Sequence, residues 1–245
     1  MLLRQKEAMY ANNETIAMVA RAPFKGAEAV AIDLGLDTDQ TNAFLLCARQ
    51  TIEKELYRRN LTAEKPAQMI LYLGGEGGTG KSAVLRALTT YMGSIGVRHQ
   101  LRIASQTGVA AGNVGGNTLH LLLRLPTTKR EKEANKALSE TVITNFRDVS
   151  LFFIDEISMT GCGTVHTIPT RLMNAKSNDA EPFGGVDMIF AGDFYQLPPT
   201  GDDALYKKVN MTEDGSTVNT ALAGLSCGIV VRWSFLSSDR RRGWS

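Results

Sequence analysis

Short, continuously apolar stretches alternate along this chain with stretches in which apolar residues recur every three or four positions. The run at residues 151–154 (LFFI) contains no polar position, which predicts a β-strand buried on both faces. Strands that alternate with helices predict a parallel sheet joined by right-handed crossovers, which is an α/β fold. The predicted strands are residues 69–73, 99–105, 151–154 and 187–191.

A helix is predicted before the first strand. A turn at Gly35 precedes it, Thr38 is its predicted N-terminal cap, and Pro66 interrupts the chain before the strand begins. Apolar residues recur every four positions in this segment, which places them on one face of the helix. They are Phe44, Ala48, Ile52 and Leu56.

The first predicted strand leads into the glycine-rich segment Gly75–Ser82 (GEGGTGKS), and a helix-like segment follows. Glycines allow backbone N–H groups to curl around a polyphosphate, and the start of a helix directs its positive dipole end toward the same anion. The spacing predicts an ATP site with Lys81 on the β- and γ-phosphates and Ser82 on Mg²⁺. The alternative is a glycine-rich surface turn. The predicted nucleotide-binding residues are Gly75, Gly77, Gly78, Thr79, Gly80, Lys81 and Ser82.

Two carboxylates, Asp155 and Glu156, follow the third predicted strand directly. The carboxyl ends of parallel strands face the crevice in which ligands bind, so this pair is expected beside the glycine-rich segment. In a nucleotide hydrolase Asp155 would hold the Mg²⁺ that Ser82 also contacts, and Glu156 would be the general base that polarises the attacking water. The alternative is a helix cap followed by an acid in the first turn.

The fourth predicted strand ends similarly, in Gly192–Pro199 (GDFYQLPP). Gln196 places a side-chain amide just before the rigid turn Pro198–Pro199, and an amide so held is well suited to sense a γ-phosphate. Gln196 is therefore the third candidate catalytic residue, beside Lys81 and Glu156.

Composition narrows the class of protein. With 245 residues, 43% of them hydrophobic, the chain can form one large α/β domain, and a formal net charge of +2 means that any DNA site must be local. The cysteines and histidines have no metal-ligand spacing, and the odd number of cysteines predicts free thiols in a reducing compartment. Neither a secretory signal nor a membrane span is predicted, so a soluble intracellular protein is expected. These side chains are Cys47, Cys162, Cys227, His99, His120 and His166.

In combination these segments closely resemble the Pif helicases, superfamily-one DNA helicases that move 5′ to 3′. The chain is also similar to helicase domains carried by Helitron-type mobile elements. The resemblance implies a RecA-like P-loop NTPase domain over residues 36–205, an N-terminal extension over 1–35 and a C-terminal tail over 206–245. The matching segments are Asp39–Gln40 with Ala43–Phe44, Gly75–Ser82 (motif I), Thr107–Ala111 with Gly116–His120 (motif Ia), Asp155–Met159 (motif II), Phe183–Gly185, and Gly192–Pro199 (motif III).

The resemblance implies an ATP-dependent DNA helicase that acts on single-stranded DNA or DNA junctions. DNA repair, recombination and telomere maintenance are the implied roles, and the nucleus, or also the mitochondrion, is the implied location. Gln40 falls where such helicases read the adenine edge. Motif Ia is assigned to DNA, the alternatives being tight helix packing and, for His120, a core histidine. The implied DNA contacts are Thr107, Asn113, Thr118 and His120.

Other functions stay open at this level. Gln106, Leu121 and Thr200 differ from the residues usual in the family, which concerns the DNA contacts and not the ATP site. A non-motor ATP-binding module and a P-loop kinase are the rivals, although a kinase would need an acceptor pocket and has no use for Gln196 before two prolines. A GTPase is disfavoured because no Asn-Lys-x-Asp segment occurs. Residues 129–140, dense in lysine, arginine and glutamate, predict a solvated helix.

We expect residues 1–245 alone to separate no DNA strands. Superfamily-one motors hydrolyse ATP between two lobes, residues 200–245 are too few for the second lobe, and Arg240–Arg242 is interpreted as a basic tail and not a substitute arginine finger. ATP binding should therefore exceed hydrolysis, and single-strand binding should be weak and salt-sensitive. A fluorescence unwinding assay on a 5′-tailed duplex checks this, and robust ATP-dependent separation would contradict it. Fusion to a Pif-type second lobe should restore DNA-stimulated hydrolysis.

Overall fold

A computed structural model describes residues 25–113, 115–125, 140–205 and 231–235 of the chain. The chain divides into two compact units, residues 1–67 with 83–98 and residues 68–82 with 99–245. The predictions for residues 129–139, for Cys227 and for Arg240–Arg242 lie outside the described residues. None of the described helices is both long and apolar enough to cross a bilayer.

The second unit contains a sheet of six parallel strands in the order β3-β2-β4-β5-β1-β6, which confirms the predicted parallel α/β fold. Every residue of β1, β4 and β5 is buried, as their continuous apolar sequences predict. The short β3 and the strand β6 were not predicted. The strands are β1 Ile70–Gly74, β2 Leu101–Ser105, β3 Asn117–Thr118, β4 Leu151–Asp155, β5 Asp187–Gly192 and β6 Val231–Phe235.

The prediction that the second strand begins at His99 is wrong. Arg98–Gln100 form a single 3₁₀ turn, and β2 starts at Leu101. The turn is held because the backbone carbonyl of Gln100 accepts the N–H of Ser150 at 3.0 Å and the Gln100 side chain accepts the Ser150 hydroxyl at 2.9 Å. These bonds involve a residue fifty positions away, so no local pattern signals them.

Helices connect the strands. One face of the sheet packs on α5, α6 and α7 in a core that includes the edge-to-face ring pair Phe146–Phe152, with centroids 5.2 Å apart. The helices are residues 25–33 (α1), Thr38–Arg58 (α2), Lys81–Ser94 (α3), Gly108–Asn113 (α4), Leu119–Leu123 (α5), Glu140–Phe146 (α6) and Cys162–Lys176 (α7), with further 3₁₀ turns at Ile157–Met159 and Pro182–Gly185.

The first unit confirms the predicted helix but corrects its cap. Asp37, which is extended, is the N-terminal cap, whereas Thr38 is already helical. The Asp37 carboxylate accepts the N–H of Gln40 at 2.9 Å and the Gln40 side chain accepts the N–H of Asp37 at 3.3 Å, a reciprocal capping box. The apolar face is confirmed, since Phe44 is fully buried and packs edge-to-face on Tyr91 at 5.9 Å.

A left-handed turn sets the start of β5. Phe183, Gly184 and Gly185 have φ values of +53°, +66° and +78°, and Phe183 is nonetheless buried. The Gln68 side chain bridges the turn by donating to the carbonyls of Pro182 at 2.7 Å and Val186 at 2.6 Å. A Cβ on Gly184 would lie 2.8 Å from the carbonyl oxygen of Leu172 on α7, so this position requires glycine for both backbone and space.

Gly184→Ala should therefore lower the free energy of unfolding by about 2–4 kcal/mol, because left-handed strain and a clash with α7 add together. Gly93→Ala is the matched control, since Gly93 is exposed within α3, has an ordinary φ and faces open space. Urea denaturation of the two variants checks the difference. Equal stabilities would show that the turn adapts.

Candidate nucleotide-binding site

The register of the sheet brings three loops to one edge. Gly74 at the end of β1 pairs with Gly192 at the end of β5, and Ser105 at the end of β2 pairs with Asp155 at the end of β4. The segments that follow β1, β4 and β5 therefore start side by side at the carboxyl edge, where parallel sheets bind ligands. Each of these segments carries residues that the sequence singled out.

The segment after β1 forms a tight loop whose glycines are required by its geometry. Gly78 and Gly80 have φ values of +85° and +93°. The loop is braced internally, because the Thr79 hydroxyl donates to the carbonyl of Glu76 at 2.9 Å. Helix α3 then begins at Lys81, so its first N–H groups are directed toward the loop.

Lys81 turns its side chain back into this loop. Its Nζ donates to the carbonyl oxygens of Gly75 at 2.7 Å and Glu76 at 3.2 Å, and the residue is almost fully buried. Ser82 follows in the first turn of α3 and is exposed. The ammonium group therefore lies where the loop would enclose a phosphate.

The segment after β4 holds the two carboxylates in a strained backbone. Asp155 ends the strand and is buried, and its Oδ1 accepts the N–H of Glu156 at 3.0 Å. Glu156 has φ +52° and ψ +43°, a left-handed conformation that is uncommon for a residue with a side chain. Its Oε2 is buried and has no hydrogen-bond partner within the described residues. A buried oxygen without a donor is expected to receive one from a ligand or water.

The electrostatics of the pair favour proton acceptance. Burial raises the pKa of Asp155 above its usual value, while the hydrogen bond from Glu156 N–H and the charge of Lys81 oppose that rise. Burial also raises the pKa of Glu156, and the charges of Asp155 and Asp193 add to it whereas that of Lys81 lowers it. Glu156 is therefore a stronger base than an exposed glutamate.

The segment after β5 presents Gln196 to the glycine loop. The Asp193 side chain accepts the N–H of Tyr195 at 2.9 Å, and its carbonyl accepts the N–H of Gln196 at 3.0 Å. Gln196 Nε2 lies 3.1 Å from the point that a Cβ on Gly77 would occupy. This contact places the amide at the loop, and a larger residue at position 77 would displace it.

Asp193 was missed by sequence reasoning. It is buried, and its charge adds to the larger effect of burial that raises the pKa of Tyr72 to about 12. Tyr72 donates to the carbonyl of Gly192 at 3.2 Å and stacks on Phe194 at 5.3 Å. The sequence does offer one signal, since an aspartate in a loop commonly accepts the backbone N–H of the residue two positions later, as Asp193 does from Tyr195.

The side chains at this edge fit a magnesium ion that is shared with a bound phosphate better than a metal ion that is held by protein groups alone. The described residues contain no group of three or more histidine, cysteine or acidic residues that could hold a metal ion. Mg²⁺ is usually bound by one or two protein groups together with substrate phosphates and water. Ser82 and Asp155 could supply such groups, and the unpartnered oxygen of Glu156 could accept a hydrogen bond from a water molecule bound to the ion.

Comparison with known proteins decides the family. The family model described as PIF1-like helicase matches residues 50–226, which is more than half of the chain. The chain belongs to the PIF1-like helicase family. This confirms the resemblance that the motifs indicate.

Individual PIF1-like proteins agree. The chain is 30% identical over 136 residues to the ATP-dependent DNA helicase PIF1 of Saccharomyces cerevisiae, covering 54% of this chain and 16% of that protein. It is 35% identical over 134 residues to PIF1 of Candida albicans, covering 53% and 14%. A Bacteroides Pif1 solved with ADP-AlF3 and single-stranded DNA matches with 30% identity and a TM-score of 0.51, covering 75% of this chain and 41% of that one. The chain thus spans only part of the length of these relatives.

In motif Ia the predicted DNA contacts act as helix caps. Thr107 Oγ1 accepts the N–H of Ala110 at 3.2 Å at the start of α4, and Thr118 Oγ1 accepts the N–H of Leu121 at 3.3 Å at the start of α5. The oxygens are thereby used, but each hydroxyl keeps its hydrogen for donation. His120 is half-buried on α5. The side chain of Asn113 lies outside the described part of the structure.

The small residues of motif Ia divide into two groups. Ala111 is buried, and a Cβ on Gly116 would lie 2.6 Å from the carbonyl oxygen of Ile103 on β2, so these two positions serve packing. Gly108 and Gly112 have open space around them. Close approach of another molecule is therefore sterically possible at Gly108 and Gly112.

Gln40 lies in the first unit, where it is almost fully buried and forms the capping box of α2 with Asp37. Its carbonyl oxygen accepts a backbone N–H there. The expected adenine contact stays a prediction, and it would fall to the amide NH₂ of this side chain.

Proposed function

We propose that this chain is the ATP-binding lobe of a DNA helicase that couples ATP hydrolysis to 5′-to-3′ movement on single-stranded DNA. The observation that carries the proposal is the buried, unpartnered Oε2 of Glu156 at the same sheet edge as Lys81 and Gln196. A purely structural acid at the end of a strand would have its oxygens satisfied. Family membership and relatives named ATP-dependent DNA helicases support the same reading.

Each residue has a distinct role in this proposal. Lys81, already directed into the loop, would exchange its carbonyl partners for phosphate oxygens. Glu156 would orient a water molecule and accept its proton, for which its raised pKa suits it. Gln196 would donate from Nε2 to the terminal phosphate, which links nucleotide state to the loop after β5. Mg²⁺, held by Ser82 and Asp155, supplies charge neutralisation of the phosphates when bound.

DNA binding is assigned to motif Ia. Thr107 and Thr118 keep a hydroxyl hydrogen for phosphate oxygens, and Gly108 and Gly112 leave room for a backbone to approach. The Bacteroides relative solved with single-stranded DNA supports this partner. Location in the nucleus or mitochondrion stays a prediction.

The proposed 5′-to-3′ direction of movement has its own test. Movement along DNA requires a second lobe, so the measurement uses the fusion of this chain to a Pif-type second lobe. Its substrates are duplexes with either a 5′ or a 3′ single-stranded tail. Separation of the 5′-tailed duplex alone supports the assigned direction, and preference for the 3′-tailed duplex contradicts it.

Lys81→Ala should weaken Mg²⁺-ATP binding about 10- to 100-fold, because a charged hydrogen-bond donor worth roughly 1.5–3 kcal/mol is lost from the phosphate loop. Calorimetric titration of ATP in the presence of Mg²⁺ measures the change. Arg86→Ala, which removes a positive charge from an exposed position of α3, is the control and should bind as the parent chain does. Equal affinity of Lys81→Ala and the parent would exclude the proposed site.

Glu156→Gln should lower the single-turnover hydrolysis rate about 10²- to 10⁴-fold while leaving ATP affinity within about threefold, since the amide keeps the shape and loses the base. Thermal stability should not fall, because the substitution removes one of two adjacent buried negative charges. Quenched-flow hydrolysis with excess protein measures the rate. Glu28→Gln, at an exposed position on α1, is the charge-matched control. An unchanged rate in Glu156→Gln would remove this residue from the role of base.

A further inference from the structure

The chain that follows motif III is fastened to the start of α7. The N-terminal cap of this helix is Gly161, which has no side chain with which to cap. Asp202 substitutes for it, because its Oδ2 accepts the N–H of Gly163 at 3.0 Å. The carbonyl of Asp203 accepts the next free donor, the N–H of Cys162, at 2.8 Å. A distant segment therefore satisfies the first donors of the helix.

Two glycines make the cradle in which the Asp202 carboxylate lies. A Cβ on Gly161 would overlap that carboxylate, and a Cβ on Gly163 would lie 3.1 Å from its Oδ2. The backbone that precedes these glycines is held in place, because Thr160 is fully buried and its hydroxyl donates to the Gln106 side chain at 3.3 Å. A side chain at position 161 would thus exclude Asp202, and one at position 163 would force its carboxylate to shift.

Beyond Phe194, which stacks on Tyr72, few side chains of the loop between β5 and Asp202 are buried. Tyr195 is 97% exposed and Leu197 is 70% exposed, so the loop buries few of its side chains. At its first end it is fixed by the hydrogen bonds to Asp193. Pro198 and Pro199 restrict the backbone beyond Gln196, which makes the position of the loop depend on where its second end is attached.

We propose that Asp202 is a positioning residue that holds Gln196 against the glycine loop. Fixing the chain at Asp193 and again at Asp202, with two prolines between, leaves Gln196 few alternatives to its place beside Gly77. Removal of the Asp202 carboxylate leaves the second end with the backbone bond from Cys162 N–H to Asp203 and the buried Ala204 and Leu205 beyond it. The loop is then held less tightly, which lets the amide move away from the phosphate loop. The inference rests on the proposed ATP hydrolysis for its functional consequence, but not for its structural one.

The structural arm of the test is backbone hydrogen exchange in the 245-residue chain. Asp202→Ala should increase exchange at the amides of Gly163, Tyr195 and Gln196 while leaving those of β5 unchanged. Asp202→Asn keeps an acceptor oxygen and should restore protection. Asp179→Ala, an exposed aspartate on the same unit, is the control. Unchanged exchange in the loop of Asp202→Ala overturns the proposal.

The functional arm is a double-mutant cycle on single-turnover hydrolysis. Asp202→Ala should lower the rate about 3- to 10-fold, the value of one hydrogen bond, with Mg²⁺-ATP affinity within about twofold. In a Gln196→Ala background the same change should have no further effect, because Asp202 acts through Gln196. An equal loss in both backgrounds overturns the proposal and assigns Asp202 a general structural role. If neither the chain nor its fusion to a Pif-type second lobe hydrolyses ATP, the proposed function fails and the exchange result alone decides the positioning role.

Discussion

Two adjacent carboxylates at the buried end of β4 set the electrostatics of the candidate site. Burial raises the pKa of both Asp155 and Glu156, and the charge of Asp155 raises the pKa of Glu156 further. Lys81 lowers the pKa of both, yet one ammonium group cannot balance two carboxylates together with the nearby Asp193. The site therefore favours a ligand that places a cation beside these carboxylates, as a polyphosphate bound with a divalent cation can. A simple anion would not meet this condition.

The backbone at this edge is strained in ways that serve the same geometry. Glu156 occupies the left-handed region, at a cost of order 1–3 kcal/mol, and the chain then enters the 3₁₀ turn Ile157–Met159. The turn passes so close to β5 that a Cβ on Gly192 would lie 3.2 Å from the N of Ser158. Glycine at the end of β5 and a non-glycine residue in a left-handed conformation at the end of β4 thus belong to one arrangement. The contacts around it must supply the energy that the strain consumes.

Sequence reasoning found what is encoded locally. The buried strands are visible as apolar runs, and the phosphate loop is visible because the positive φ values of Gly78 and Gly80 admit few other residues. The cap of α2 was misplaced by one residue since Asp37 and Thr38 are both good caps and only the backbone register distinguishes them. Asp193 and Asp202 escaped notice because their partners are set by the tertiary fold. Gln106 was noted only as a departure from the family pattern, and its partner Thr160 is likewise set by the fold. The roles assigned to individual site residues stay predictions, as do the domain boundaries.

Motif Ia shows why packing and DNA contact need not be alternatives. A capping threonine uses its oxygen as acceptor, which restrains the side-chain rotamer and leaves the hydroxyl hydrogen able to donate. A phosphate that accepts this hydrogen would contact a side chain that is already ordered. Binding would then lose little further side-chain conformational entropy. The glycines divide in the same way, Gly116 filling the space against β2 and Gly108 standing open. What matters at each position is therefore which side-chain atoms already form a hydrogen bond within the fold. At Thr107 and Thr118 that atom is the hydroxyl oxygen, which accepts a backbone N–H.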